Sequence, residues 1–317
     1  MIYDLLIIGS GPAGITAAIY AARKRLKYAM VYKDIGGEVA KTTYIENYTG
    51  FQNVSGEELT KIFENHMKMF KPEIIEDEVL GVEKKSDQES NQKSNQKSTH
   101  FVVKTKSKEL EAKTLLIATG AMPKSLNIPG EKEYASKGVS WCATCDAPLF
   151  LDQEVAVIGA GNTGLTSVLQ LLDIAKKVYL INKNPAPKAD KIMVEKAKMN
   201  PKFELINEAM IQKIDGDKFV SSITIRLKEG QLKTLPVTGV FINIGYQSNT
   251  KCLNGLVELD EFGQIIIDDH NMTSVPGIFA AGDVTNMPHK QIIIAAGHGA
   301  NAVISIYDYL AGLEHHN

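Results

Sequence analysis

Two stretches of this chain repeat one pattern, and together they restrict the fold more than any other feature. Near the start, a strand-length apolar run ending at Ile8 passes directly into Gly9-Ser10-Gly11-Pro12-Ala13-Gly14, and residues 15–25 are Ala-rich and helix-favouring. Later, Glu154-Val155-Ala156-Val157-Ile158 leads into Gly159-Ala160-Gly161-Asn162-Thr163-Gly164, then a helix to about Ile174 and a strand over residues 178–181. A bare GxGxxG is a weak signal. One that follows a strand and opens a helix is a nucleotide-binding signature. At the first site Gly9 permits a tight turn, Gly11 lets backbone approach a pyrophosphate, and Gly14 lets helix and strand pack closely. The helix N-terminus then stabilises the phosphate charge. A glycine-rich turn without a ligand is the competing reading, and the strand-turn-helix context disfavours it. Two such units within 317 residues imply two doubly wound or related domains.

Between the two units lies Trp141-Cys142-Ala143-Thr144-Cys145-Asp146. Cysteines at this spacing can close a disulfide within one backbone turn, and such a dithiol stores two electrons. Half of a structural zinc site is the competing reading. Zinc takes about four ligands, the third cysteine is the distant Cys252, and no His pair stands at zinc-finger spacing. The pattern therefore points to redox chemistry, with electrons passing from one cofactor through another to the disulfide. Cys252 reads as a lone thiol, buried or partly exposed.

Composition excludes several classes. A formal net charge of -2 gives no broad attraction to nucleic acid or an anionic membrane. No apolar run approaches the roughly 20 residues that span a bilayer. Three cysteines do not make a secreted disulfide framework. No basic-plus-apolar leader precedes the first strand, so the expected location is cytoplasmic.

The remaining chain fills in around these motifs. A strand over residues 28–32 ends at Lys33-Asp34, and an acid about 20 residues after the glycines commonly binds the adenosine ribose, although Asp34 is slightly late. Ile35-Gly36-Gly37-Glu38 turns the chain. Residues 56–70 read as an amphipathic helix with Leu59, Ile62, Phe63 and Met67 on its core face, and His66 as a surface or cap residue. Asn91-Gln92-Lys93-Ser94 and Asn95-Gln96-Lys97-Ser98 form a small polar repeat. It is expected to be the disordered or extended tip of a hairpin between strands at 79–84 and 101–105. Leu115-Leu116-Ile117 is a buried-strand run, and Pro123 with Ile128-Pro129-Gly130 marks a linker. Residues 277–283 form a strand ending in a Gly-Asp turn, and a last helix covers about 291–310.

With these motifs in place, the chain resembles the low-molecular-weight thioredoxin reductases over essentially its whole length. These are FAD-dependent pyridine nucleotide-disulfide oxidoreductases, usually homodimers. The resemblance implies an α/β fold of two Rossmann-like, three-layer ββα nucleotide-binding domains, one inserted in the other. Residues 1–120 plus 246–317 would bind FAD, and residues 121–245 would form a pyridine-nucleotide-like domain carrying the CxxC. One domain is expected to rotate against the other about hinges near 118–121 and 244–247.

For FAD, the resemblance implies contacts from Gly9, Ser10, Gly11, Pro12, Ala13 and Gly14, from Asp34, Gly36, Gly37, Glu38, Thr42 and Asn47, and from Ala118, Thr119 and Gly120. Gly282 and Asp283 match the second FAD motif, where the Asp is expected to hold the ribityl chain. Lys290, Gln291 and Ile292 match the segment that meets the isoalloxazine ring. Glu38 stands where Gln is usual, and Lys290 where Arg is frequent. His289 and His298 are expected to be structural or flavin-edge residues.

By the same resemblance Cys145 is the flavin-proximal sulfur, Cys142 attacks the partner, and Asp146 is the general acid/base. A helix N-cap is a further reading for Asp146, and the two are compatible. For the nicotinamide coenzyme, Gly159, Gly161, Asn162 and Thr163 match the pyrophosphate loop. The family's His-Arg-Arg-x-x-x-Arg signature is replaced by Asn182-Lys183-Asn184-Pro185-Ala186-Pro187-Lys188. Lys183 and Lys188 can supply charge, but not a bidentate fork for a 2′-phosphate. Asn182 is a neutral substitute for the acid that an NADH site places at this point.

The expected function is passage of two electrons through FAD to the Cys142–Cys145 disulfide and on to a thioredoxin- or glutaredoxin-like protein. NADPH use is expected to be weak or atypical, leaving NADPH or NADH open. The alternatives are a disulfide reductase fed by ferredoxin and a non-turnover FAD redox sensor. With no thioredoxin-like segment in the chain, the acceptor is expected to be a separate protein.

Overall fold

The computed structural model describes residues 1–42, 45–86 and 99–315 and divides into two compact units. The first comprises Met1–Met122 and Gln247–Asn317, the second Pro123–Tyr246. The polar repeat at 91–98 lies outside the described residues.

The first unit opens with β1 (Ile2–Ile8), α1 (Pro12–Arg23) and β2 (Tyr28–Tyr32). It continues with α2 (Gly56–Lys68), β3 (Glu73–Glu76), β4 (Val79–Ser86), β5 (Thr99–Thr105) and β6 (Glu109–Ile117). The sheet order is β3-β2-β1-β6-β5-β4. β1 lies parallel between β2 and β6, pairing Leu6 with Ala29 and with Leu115. Leu5, Leu6, Ile7 and Ile8 are all buried, because a central parallel strand is covered on both faces. The β4–β5 antiparallel ribbon joins the N-terminal half of β6.

α2 turns Leu59 and Met67 fully inward and leaves Ile62 39% exposed, so Ile62 does not share the core face expected for it. Its start is fixed by Ser55, whose hydroxyl accepts the Glu58 amide at 3.2 Å. His66 is exposed on the last turn, against the Phe70 ring.

The chain leaves through β7 (Ala121–Pro123). The second unit holds β8 (Val139–Ser140), α3 (Ala143–Asp146), β9 (Glu154–Ile158), α4 (Asn162–Leu172), β10 (Lys177–Ile181), α5 (Lys191–Lys198) and β11 (Phe203–Ile206). An antiparallel meander of β12 (Met210–Gly216), β13 (Val220–Arg226) and β14 (Leu232–Leu235) precedes β15 (Gly239–Ile242). The parallel sheet has the order β11-β10-β9-β15-β8. One face packs on α4 through Val155, Val157, Leu165, Val168 and Phe241, the other on the meander through Ile158, Ile223 and Ile242. That is two sheets and a helical layer.

The chain returns through β16 (Tyr246–Ser248) to β17 (Ile278–Ala280) and α6 (Ile292–His315). β17 pairs in parallel with the C-terminal half of β6, Phe279 opposite Leu116. α6 packs on α1 through Ala302, Val303 and Ile306, completing the helical layer. The structure is therefore α/β, with parallel sheets of the Rossmann-like type in both units. Glu131 anchors the segment after the first crossing. Its buried carboxylate accepts the Ser125 hydroxyl at 2.7 Å and the amides of Leu126 and Asn127 at 3.0 and 2.7 Å.

Candidate active site

In the first unit, Gly9 takes φ +112°, and a Cβ there would lie 2.2 Å from the Ala118 carbonyl oxygen. A Cβ on Gly14 would stand 2.0 Å from the Gly9 oxygen. A Cβ on Gly11 would meet nothing within 4 Å. The loop is thus closed by backbone on two sides and open at its middle glycine. α1 starts at Gly11 with no side-chain cap, leaving its first amides for a ligand. These features fit a pyrophosphate on the helix N-terminus.

Several expected contact residues brace this loop. The buried Ser10 hydroxyl donates to the Asp34 carbonyl at 2.6 Å, while the Asp34 side chain lies on the exposed surface. Gly36 is left-handed, and a Cβ on it would strike Thr60. Gly37 is also left-handed and exposed. Glu38 pairs with Lys41 at 2.6 Å, and its carbonyl accepts the Thr42 hydroxyl at 3.3 Å. Thr119 and Asn249 exchange two hydrogen bonds, each of 2.8 Å, beside the left-handed Gly120. Asn47 donates to Gln291 at 3.2 Å, joining the 45–48 segment to the start of α6 beside Ile292.

Asp283 follows the left-handed Gly282 and makes no hydrogen bond or ion pair among the described residues. Burial pushes its carboxyl from 3.8 up to about 6, Lys290 opposes that shift, and Glu38 adds a smaller push. Lys290, lowered by burial, donates to the Thr285 carbonyl at 2.5 Å. The Nδ1 of His298 on α6 is buried without a partner, and burial, then Lys290, lowers its pKa. His289 is exposed. A half-buried carboxylate without a hydrogen-bond donor is costly unless a ligand supplies one, so Asp283 fits a hydroxyl-bearing cofactor chain.

The folded pKa of Asp283 is raised, so the chain is favoured while the carboxyl is protonated. The penalty grows as pH rises from about 4 to 6 and amounts to about 3 kcal/mol above that. Asp283→Asn is therefore expected to stabilise the flavin-free protein by about 3 kcal/mol at pH 7. The gain should vanish at pH 4, and the variant should lose flavin affinity. Urea unfolding at both pH values checks this, and equal stability of the two proteins at pH 7 would contradict it.

In the second unit, Gly159 takes φ +110°, and a Cβ there would lie 2.4 Å from the Asn243 oxygen, while Gly161 faces open space. Asn162 and Thr163 are exposed, and Asn162 Oδ1 accepts the Asp190 amide at 2.8 Å. The amides of Lys188 and Ala189 donate to the Ala160 carbonyl, which lays segment 188–190 against the loop. Asn182 requires a correction. It is 2% exposed, its amide donates to Asn207 Oδ1 at 2.8 Å and to the Asn184 carbonyl at 3.0 Å, and its oxygen accepts the Asn184 amide at 3.1 Å. Both ends are occupied, by Asn184 in its own turn and by the distant Asn207, so it does not stand in for a ribose-binding acid. Lys183 and Lys188 are exposed.

Cys142 and Cys145 are joined as a disulfide with Cα atoms 5.3 Å apart. Cys142 is half-buried and caps α3, its sulfur accepting the Cys145 amide at 3.2 Å, while Cys145 is exposed. Cys142, not Asp146, caps α3; Asp146 stands at the N-cap of the 3-10 turn Ala147–Phe150, but its side chain makes no capping bond there. Asp146 Oδ2 instead accepts the hydroxyl of Ser140 at 2.6 Å. Burial pushes its carboxyl pKa up, and the Ser140 bond opposes the shift. Sequence reasoning missed Ser140, because a serine two positions ahead of a CxxC gives no sign of which turn partner it will take. Among the described residues no three His, Cys, Asp or Glu side chains gather as a metal site. Nor is any helix long and apolar enough to cross a membrane. Cys252 is partly buried against the first unit's core, its thiol pKa raised by burial.

Two nucleotide-type loops and a paired CxxC define a nucleotide-dependent disulfide oxidoreductase. Residues 3–300 match the pyridine nucleotide-disulphide oxidoreductase family, and this chain belongs to it. Membership implies a flavin and a nicotinamide cofactor. The chain is similar to the solved thioredoxin reductase of Streptococcus pyogenes, at 38% identity and TM-score 0.89 over 98% of this chain and 99% of that one. It is also similar to that of Giardia duodenalis, at 33% identity and TM-score 0.86 with the same coverage. The resemblance to low-molecular-weight thioredoxin reductases therefore holds. The F component of the Pseudomonas aeruginosa alkyl hydroperoxide reductase is 38% identical over 310 residues, which is 97% of this chain and 58% of that protein. A Bacillus subtilis protein named NADH dehydrogenase is 37% identical over 309 residues, with the same coverage. The chain thus spans about 58% of the length of these two relatives.

Proposed function

We propose that this chain is an FAD-dependent disulfide reductase that delivers two electrons to the Cys142–Cys145 bond and on to a thioredoxin- or glutaredoxin-like protein. One observation carries the reading. An exposed sulfur, Cys145, is bonded to a half-buried one, Cys142, beside a half-buried acid, Asp146. Residues 1–120 plus 246–317 form the FAD domain and 121–245 the nicotinamide domain. Gly9–Gly14 and the α1 N-terminus hold the pyrophosphate, and Asp283 accepts from the ribityl hydroxyls. Gly36–Glu38, Thr42, Asn47, Ala118–Gly120 and Lys290–Ile292 complete the FAD contacts. Gly159, Gly161, Asn162 and Thr163 cradle the nicotinamide coenzyme, and Lys183 and Lys188 supply charge contacts.

Bound flavin supplies the switch between hydride and thiol chemistry. Cys145 receives the electrons, and Cys142 is displaced as a thiolate, then attacks the partner disulfide. Asp146 gives and takes the proton; burial keeps its pKa closer to neutrality than an exposed carboxyl's. The protein works as a cytoplasmic homodimer. The relatives named as components of alkyl hydroperoxide reductase favour a second reading of the acceptor, a component of a peroxide-reducing system.

The purified protein is expected to be yellow, and to reduce a protein disulfide in steady state once a suitable donor is supplied. A spectrum without flavin bands that added FAD does not restore would overturn the cofactor assignment. A bound flavin with no turnover on any protein disulfide would favour a redox sensor.

A further inference from the structure

Ser140 ends β8, where it stands opposite Phe241 of β15, so the parallel sheet fixes its position. It is 5% exposed. Its hydroxyl lies 2.6 Å from Asp146 Oδ2, and it accepts the Cys142 amide at 3.0 Å. The Cys142 carbonyl, at 3.4 Å, is the more distant alternative acceptor for the hydroxyl proton. A hydroxyl has one proton and two lone pairs. One small group therefore ties the carboxylate of the acid to the backbone of the capping cysteine.

We infer that Ser140 is a positioning residue that locks Asp146 to the Cys142 turn and sets the pH range over which Asp146 exchanges a proton with the dithiol. The inference rests on the proposed acid/base role of Asp146. The surroundings of Asp146 are simple. Its own helix carries only Cys142 and Cys145 as titratable groups. Neither α4 nor the 3-10 turn Ala147–Phe150, both packed on α3, has a titratable side chain. No charged group contributes to its shift, and Ser140 is the one side chain opposing the effect of burial. Removing the hydroxyl should therefore raise the Asp146 pKa further and leave the Cys142 amide without its partner.

The step can be isolated with dithiothreitol as reductant. One reagent thiolate bonds to the exposed Cys145 sulfur, the Cys142–Cys145 bond breaks, and Cys142 leaves as a thiolate that takes the Asp146 proton. The second reagent thiol, as thiolate, displaces Cys145 and closes the oxidised ring. Two electrons pass to the protein, and Cys145 takes its proton from solvent. Once the rate is corrected for reagent thiolate, it should fall as pH rises through the Asp146 pKa.

The experiment measures that corrected rate against pH in the full-length holoprotein for wild type, Ser140→Ala, Ser140→Thr and Asp146→Asn. Ser140→Ala is expected to move the midpoint up by about one pH unit, and Ser140→Thr to keep the wild-type midpoint. Asp146→Asn should abolish the limb. A Ser140→Ala midpoint equal to wild type, with the limb absent in Asp146→Asn, overturns the inference alone. A limb that persists in Asp146→Asn overturns the acid role and the inference with it. Circular dichroism checks folding. If Ser140→Ala does not fold, Ser140→Gly removes the hydroxyl without added bulk and is judged by the same midpoint.

Discussion

Replacing either Cys142 or Cys145 with serine is expected to reduce protein-disulfide turnover by roughly a thousandfold or more, while leaving the flavin bound. Exchange runs through a mixed disulfide, and a second sulfur must resolve it. Cys142→Ser leaves an exposed thiol at Cys145 that can be captured by a partner but not released. Cys145→Ser leaves only the half-buried Cys142. The fold should survive both changes. The disulfide closes a loop of only a few residues, so it removes little entropy from the unfolded chain. The loop at Gly9–Gly14 belongs to the other unit. Turnover with a thioredoxin-like substrate and the visible spectrum check the two halves of this expectation. Retained turnover in either variant would remove the dithiol from the account.

NADPH is expected to reduce the flavin poorly. In the 182–188 turn, Asn182 is closed on Asn184 and Asn207, and no arginine is present. In that turn a 2′-phosphate would meet the exposed Lys183 and Lys188, which are flexible point charges rather than planar forks. Each charge-assisted hydrogen bond lost costs about 1.5–3 kcal/mol, which is about a tenfold or larger loss of affinity per contact. NADH loses less because it has no 2′-phosphate, although the 182–188 turn carries no acid for its ribose hydroxyls. Anaerobic stopped-flow bleaching with NADPH, NADH and reduced ferredoxin in parallel checks this, and fast bleaching by micromolar NADPH would contradict it. Lys183→Arg with Lys188→Arg should improve NADPH use in particular.

Much of the fold was legible because its strongest signals are local. Leu5–Ile8 and Val155–Ile158 are unbroken apolar runs, and only a parallel strand covered on both faces uses such a run beside a glycine turn. Gly9 and Gly159 announce backbone that meets Ala118 and Asn243, residues far away in sequence. What sequence did not reveal were choices between neighbouring partners. Asp146 looked like a cap because it adjoins a helix, but the helix begins earlier, at the cysteine that forms the disulfide. Asn182 looked like a ribose ligand because of its place after β10, but Asn207, just past the end of β11, occupies it. Ile62 shares the helical spacing of Leu59 and Phe63, yet it lies at the edge of the face that packs. In each case a tertiary neighbour decided the outcome.

The most direct test of the central claim is an anaerobic reductive titration of the purified holoprotein, followed by alkylation and mapping of the new thiols. Uptake of about four electrons per chain is expected, two by flavin and two by the disulfide. Cys142 and Cys145 should both become labelled, and Cys142→Ser should take up about two. Saturation of the native protein at about two electrons, with Cys142 and Cys145 still joined, would contradict the central claim.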